Sequence, residues 1–141
     1  MSGNPAIQIS VPSQLGNEKI VMSALACLAR KEGIPLERIE DLKTAVSEAV
    51  TNAIEHGNAS NENLRVQVKA LFEAEQLQLS VVDESEKSMP TFPVERKERA
   101  DHRGWGMMLI EALMDEVESR RHPDGNELQM VMYLDSVEEN K

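Results

Sequence analysis

The chain has 141 residues and a formal charge of −10, with a pI near 4.8, and such a surface repels nucleic-acid phosphates and argues against direct DNA or RNA binding. Hydrophobic residues make up 40% and aromatics only 3%, which suits a globular chain whose core rests on Val, Ile, Leu, Ala and eight Met. Its apolar runs fall far short of the roughly 20 residues of a membrane span, Met1 to Ala6 lacks a signal-peptide pattern, and the single cysteine, Cys27, excludes an intrachain disulfide. One cytoplasmic domain spanning residues 1–141 is the expectation, with another protein as the macromolecular partner.

In chain order, Ile7, Ile9 and Val11 alternate with polar residues and predict a short strand, ended by Pro12-Ser13 with Ser13 as a helix N-cap. From Gln14 to about Lys31, Ile20, Met22, Leu25, Cys27 and Leu28 read as the apolar positions of a helix closed by Gly33. The segment from Ile39 to Gly57 is a second helix, because Ile39, Leu42, Val46, Ala49, Val50 and Ala53 recur at three- and four-residue steps. Gly57 to Glu62 is a polar loop. Leu64, Val66, Val68, Ala70 and Phe72, then Leu77, Leu79 and Val81, alternate as the strands of a hairpin. Glu84 to Arg103 is charged, carries Pro90 and Pro93, and is long for a connection within a domain, so it reads as a functional loop. A helix follows from Gly104 to Met114. Val117 to Arg121 and Leu128 to Leu134 are strands about Asp124-Gly125, and an acidic tail runs from Asp135. The order of elements predicts an α+β, two-layer sandwich with a mixed, mostly antiparallel sheet and helices on one face.

Three features carry chemistry. Glu48 and Asn52 sit four apart, on neighbouring turns of the central helix, beside the small residues Ala45 and Ala49. An amide oxygen is a hard ligand for Mg²⁺, and a carboxylate one turn away can deprotonate an attacking hydroxyl. Asp83 ends a strand of mostly apolar residues, where a lone carboxylate can accept a hydrogen bond from an adenine amino group. Arg103-Gly104-Trp105-Gly106 opens a helix, and its glycines and helix N-terminus suit close backbone approach to phosphate. Each feature alone also suits an ordinary solvated face, strand-end turn or loop-to-helix turn. Their order and spacing together favour a nucleoside triphosphate, which Mg²⁺ and backbone N–H groups can hold without a basic patch. Met107 and Met108 suit the core by side chain, although Met107 belongs to the glycine segment.

The runs E-D-L-K-T-A-V-S-E-A-V-T-N-A-I-E-H-G, V-V-D-E, R-G-W-G-M-M-L-I and E-A-L-M-D-E-V-E resemble the RsbW and SpoIIAB type of bacterial anti-sigma factor. These are small serine/threonine protein kinases of the GHKL ATPase superfamily, with the Bergerat nucleotide fold, and the resemblance spans roughly Ile7 to Leu134. It implies partner switching, in which the protein sequesters a sigma factor or phosphorylates a serine on a STAS-domain anti-anti-sigma factor, using ATP and Mg²⁺. By the same resemblance Glu48 is the catalytic base, Asn52 the Mg²⁺ ligand and Asp83 the adenine contact. Gly104 and Gly106 belong to the second glycine box, Glu84 to Arg103 form the ATP lid, and a homodimer is allowed; Arg103, beside the glycines, is read as a phosphate contact, and Trp105 and Met107 as further nucleotide-binding residues. One departure stands out: the family follows its adenine-binding aspartate with glycine, whereas this chain reads Asp83-Glu84-Ser85-Glu86-Lys87. A turn that needs positive φ at Ser85 would cost on the order of 1 kcal/mol. That departure motivates an alternative, a catalytically weak protein-binding module on the same scaffold.

Overall fold

The computed structural model describes residues 6–87 and 102–134, with His102 and Arg103 by backbone only. Five strands form one sheet in the order β1-β2-β3-β5-β4, where β1 is Ile7–Pro12, β2 Arg65–Phe72, β3 Gln76–Val82, β4 Glu116–His122 and β5 Gly125–Tyr133. All four pairings are antiparallel, so the described residues contain no parallel component. Period-two burial sets which face is covered. Val66, Val68, Ala70 and Phe72 of β2 point inward with Leu77, Leu79 and Val81 of β3, while Lys69, Gln78 and Glu118 lie on the open face. Register carries the apolar rows across the sheet, since Val68 pairs with Val81, which in turn pairs with Leu128.

Three helices, α1 (Asn17–Lys31), α2 (Leu36–Asn52) and α3 (His102–Leu113), cover the inner face. Helix α2 lies between the other two and contacts both. Its Ile39, Leu42, Val46 and Val50 are fully buried or nearly so, each contributing about 1.5–3 kcal/mol of burial energy. The helix begins at Leu36, three residues before the first apolar position of the predicted stripe, because Pro35 supplies a fixed φ just ahead of it and Leu36 is exposed. It also changes pitch before Gly57. Ala53–Gly57 form a π turn, in which Asn58 N–H donates to the Ala53 carbonyl at 2.8 Å.

Two local expectations are corrected. Ser13 does not cap α1, whose N-cap is Gly16 without a side-chain bond; Ser13 is buried and its Oγ donates to the Leu64 carbonyl at 2.9 Å. Nor do Ile20 and Cys27 face the core: both are exposed, and Val21, Leu25, Ala26 and Ala29 form the buried stripe of α1. The helix does stop at Gly33, with φ +82° and Ile34 N–H returning to the Ala29 carbonyl at 3.1 Å. Most of the expected lid (88–101) and the acidic tail from Asp135 lie outside the described residues. No helix among the described residues is long and apolar enough to cross a membrane.

Candidate functional site

Glu48 and Asn52 project from the last two turns of α2 toward the start of α3. Gly106 makes that approach possible. A Cβ added there would lie 2.5 Å from Glu48 Oε1 and 3.3 Å from Asn52 Nδ2, so glycine leaves the space that these two side chains occupy. Asn52 is 6% exposed, and its Nδ2 is enclosed with no hydrogen-bond partner among the described residues. A buried, orphaned amide is costly by about 1–3 kcal/mol, and a bound ligand or water would complete its bonding. The expected pair is therefore on the inner edge of a glycine-lined contact rather than on a solvated face.

Asp83 follows β3 and is 5% exposed. The described residues give all their hydrogen bonds to its Oδ1: from Ser85 N–H at 2.9 Å, Asn126 N–H at 3.0 Å and Asn126 Nδ2 at 3.3 Å. Its Oδ2 faces Gly57, where an added Cβ would sit only 2.2 Å away. The π turn thus carries the chain from Asn52 to Gly57 and sets the end of the central helix against the aspartate. A glycine lies at each of the two contacts, Gly106 against Glu48 and Asn52, and Gly57 against Asp83.

The turn after Asp83 departs from the strained alternative. Ser85 is not among the residues of positive φ; the only non-glycine ones described are Ala59 and Ser60. Ser85 N–H closes an Asx turn on Asp83, and Ser85 Oγ accepts from Lys87 N–H at 2.9 Å. Side-chain hydrogen bonds hold the loop where glycine was expected to be needed, so the 1 kcal/mol cost does not arise.

Among the glycine-segment residues, Gly104 and Gly106 are buried, Trp105 is 64% exposed, and the Met107 side chain is fully buried in the core, leaving only its backbone to face a ligand. The Arg103 side chain lies outside the described residues. Glu48, Trp105, Gly106, Met108, Leu109 and Ala112 line a concavity of about 430 Å³ beside this contact. Sequence reasoning missed Asn58, Asn126 and Arg121. Asn58 is buried, and it ties Ser13 Oγ (2.8 Å) and the Arg65 carbonyl (3.1 Å) to Glu84 N–H (2.8 Å). Nothing in a polar loop signals such a role; for Asn126 the only sign is an amide beside a glycine at the start of an apolar strand.

Comparisons with known proteins identify the domain that carries this arrangement. The profile of the histidine kinase-like ATPase domain matches residues 11–132. The serine-protein kinase RsbW of Oceanobacillus iheyensis is 32% identical over 126 residues, covering 83% of this chain and 80% of that protein. An anti-sigma F factor of a Thermoanaerobacter species is 31% identical over 138 residues, 92% of this chain and 94% of its own length. The crystal structure of the RsbU and RsbW domains of a Mycobacterium tuberculosis protein superposes with a TM-score of 0.71 at 22% identity, over 93% of this chain and 33% of that one, and supports the fold. The antiparallel sheet under three helices, the glycine-mediated meeting of α2 and α3, and a matched domain running from β1 to β5 have one common explanation: this chain belongs to the histidine kinase-like ATPase family, among the serine-protein kinases and anti-sigma factors of the RsbW type.

Proposed function

We propose that this protein is an ATP-dependent serine-protein kinase that also binds a sigma factor, and that its phosphate acceptor is a serine on a STAS-domain anti-anti-sigma protein in the cytoplasm. The single observation that carries this reading is the contact at Gly106, where a carboxylate and an unpartnered buried amide face the first turns of α3.

Glu48 accepts the proton of the serine hydroxyl as the oxygen attacks. Asp83 Oδ2, pointed at Gly57, accepts from the adenine amino group. The N-terminal turns of α3 present backbone N–H groups and a positive dipole end to the phosphates. For Mg²⁺ the fit is tested by the donors present. The described residues contain no cluster of three or more His, Cys, Asp or Glu that could hold a metal. Magnesium does not need one, since it takes few protein ligands and completes its shell with phosphates and water. The Asn52 amide, buried at the α2–α3 contact, would hold such an ion through Oδ1. When bound, Mg²⁺ and ATP supply charge neutralisation and the transferable phosphoryl group. The unstrained Ser85 turn removes the motive for the binding-module alternative.

The test pairs binding with transfer. Calorimetry of Glu48→Gln with Mg²⁺ and ATP should give heats close to those of the parent. Phosphate transfer to the acceptor captured from the native cell should fall about 10²–10⁴-fold, the usual worth of a positioned base. Equal transfer by parent and variant removes Glu48 from the role. A parent that gives no heat at millimolar ATP is a binding module instead.

A further inference from the structure

Arg121 and Asn126 stand opposite each other in the β4–β5 ladder, next to the Pro123-Asp124 turn. Neither belongs to the central helix or to the glycine segment. Asn126 is 2% exposed and spends every polar group on the segment Asp83 to Lys87 and its neighbours. Its backbone carbonyl accepts from Asp83 N–H at 3.0 Å. Its backbone N–H and Nδ2 both donate to Asp83 Oδ1, Nδ2 donates also to the Lys87 carbonyl at 2.6 Å, and its Oδ1 accepts from Arg121 Nη1 at 3.2 Å. Arg121 Nη1 reaches further, donating to the carbonyls of Ser85 at 2.7 Å and Lys87 at 3.2 Å. Gly125 lets β5 come this close, since a Cβ there would lie 1.9 Å from the Asp83 carbonyl oxygen.

The consequence lies in how a carboxylate reads a base. Two equivalent oxygens on a rotating group present no fixed acceptor. Saturating one oxygen with three N–H donors fixes the carboxylate plane and leaves the other in one direction. Two of the three donors belong to Asn126, and the Lys87 carbonyl at Nδ2 and Arg121 at Oδ1 together fix which way its amide points. A guanidinium anchored on two backbone carbonyls offers only donors, so an overturned amide would set Nδ2 against it and lose the Nη1–Oδ1 bond.

We infer that Arg121, acting through Asn126, is a positioning residue for nucleotide recognition: it holds Asp83 so that Oδ2 selects the 6-amino group of the purine. The inference rests on the reading of Asp83 given above. Its test measures binding of ATP and of purine riboside triphosphate, which lacks the 6-amino group, by calorimetry on the full chain and on Arg121→Ala, Arg121→Lys and Asn126→Ser. Arg121 is exposed, so its variants retain the fold, and thermal melting confirms this. The parent should prefer ATP. Arg121→Ala should lose about threefold to tenfold of that preference, the worth of one or two hydrogen bonds, while the affinity for the analogue stays within about twofold. Arg121→Lys should recover part of it, and Asn126→Ser should behave like Arg121→Ala. A variant that weakens both nucleotides equally, or keeps the full preference, overturns the inference and leaves Asp83 in place. A parent that does not prefer ATP overturns the Asp83 reading and this one with it.

Discussion

Replacing Gly106 with alanine adds one methyl group at the point where α2 and α3 meet, and the structure fixes where the effect falls. The new Cβ lies 2.5 Å from Glu48 Oε1, whereas ordinary contact begins near 3.4 Å, so the oxygen has to withdraw by the difference, about 0.9 Å. Nothing in the backbone blocks that movement, because the nearest atom is the end of a long side chain. The rotamer adjustment costs about 0.5–1.5 kcal/mol, and alanine in place of glycine within a helix returns about 0.8–1 kcal/mol. Stability should therefore change by less than about 1 kcal/mol, a shift of a few degrees in Tm. Catalysis should suffer far more, since a misplacement near 1 Å at the reacting centre costs about 10²-fold. Single-turnover phosphate transfer at saturating ATP, measured beside a thermal melt, separates the two. A transfer rate equal to the parent's refutes the assignment of Glu48 as base, and a collapse of Tm refutes the view that a side chain, not the backbone, takes up the strain.

Gly57→Ala should behave differently. Its Cβ would lie 2.2 Å from Asp83 Oδ2, on a short carboxylate already held by three N–H donors. Overpacking of this kind costs about 1–3 kcal/mol, and ATP affinity by calorimetry should fall at least about tenfold, a loss of 1.4 kcal/mol or more. Ala59→Gly should stabilise the fold, because φ +53° at Ala59 disfavours any side chain; urea unfolding should show a gain of about 0.5 kcal/mol once the entropy of glycine is subtracted. Glu127 gives a pH signature. Burial raises its pKa, but hydrogen bonds from Ser80, His122 and Gln129, with the charge of His122, outweigh that and hold it below the ordinary 4.5. A carboxyl depressed on folding adds stability above its unfolded pKa and loses it as pH falls through the folded value. The parent should therefore be more stable than Glu127→Gln at neutral pH, and the gap seen by urea unfolding should close as pH falls below 4.5.

Much of the architecture is written in local periodicity. The inward rows of β2 and β3 follow from alternation of Val, Ala and Leu, and the stop at Gly33 follows from a helix that needs a left-handed residue there. Glu48, Asn52, Asp83 and Gly106 are nominated by residue type and order, and the structure brings Gly106 against Glu48 and Asn52 and sets Asp83 against Gly57. What stayed hidden depends on distant partners. Ser13 bonds to a residue 51 positions away, and Asn126 to one 43 away; neither contact leaves a trace in the neighbouring residues. The exposure of Ile20 and Cys27 was misread for a similar reason. The stripe of α1 could be drawn in two phases, and only packing against α2 decides between them. Leu36 starts α2 one turn before Ile39 although it faces solvent, so the buried stripe marks the helix's packed face and not its first residue.

The wide turn from Ala53 to Gly57 has a consequence for how this chain can vary. Each residue of a regular helix advances the azimuth by about 100°, and the π turn inserts one residue beyond the regular count. Substitutions at Ile54 or Glu55 leave that count intact, but removing a single residue between Asn52 and Gly57 would restore regular pitch and swing Gly57 a quarter-turn or more around the axis. Asn52 and Asp83, the proposed cation ligand and base reader, would then fall out of phase with every side chain still in place. Length across these five residues is thus under tighter constraint than identity, and an insertion or deletion here should be more damaging than any single replacement.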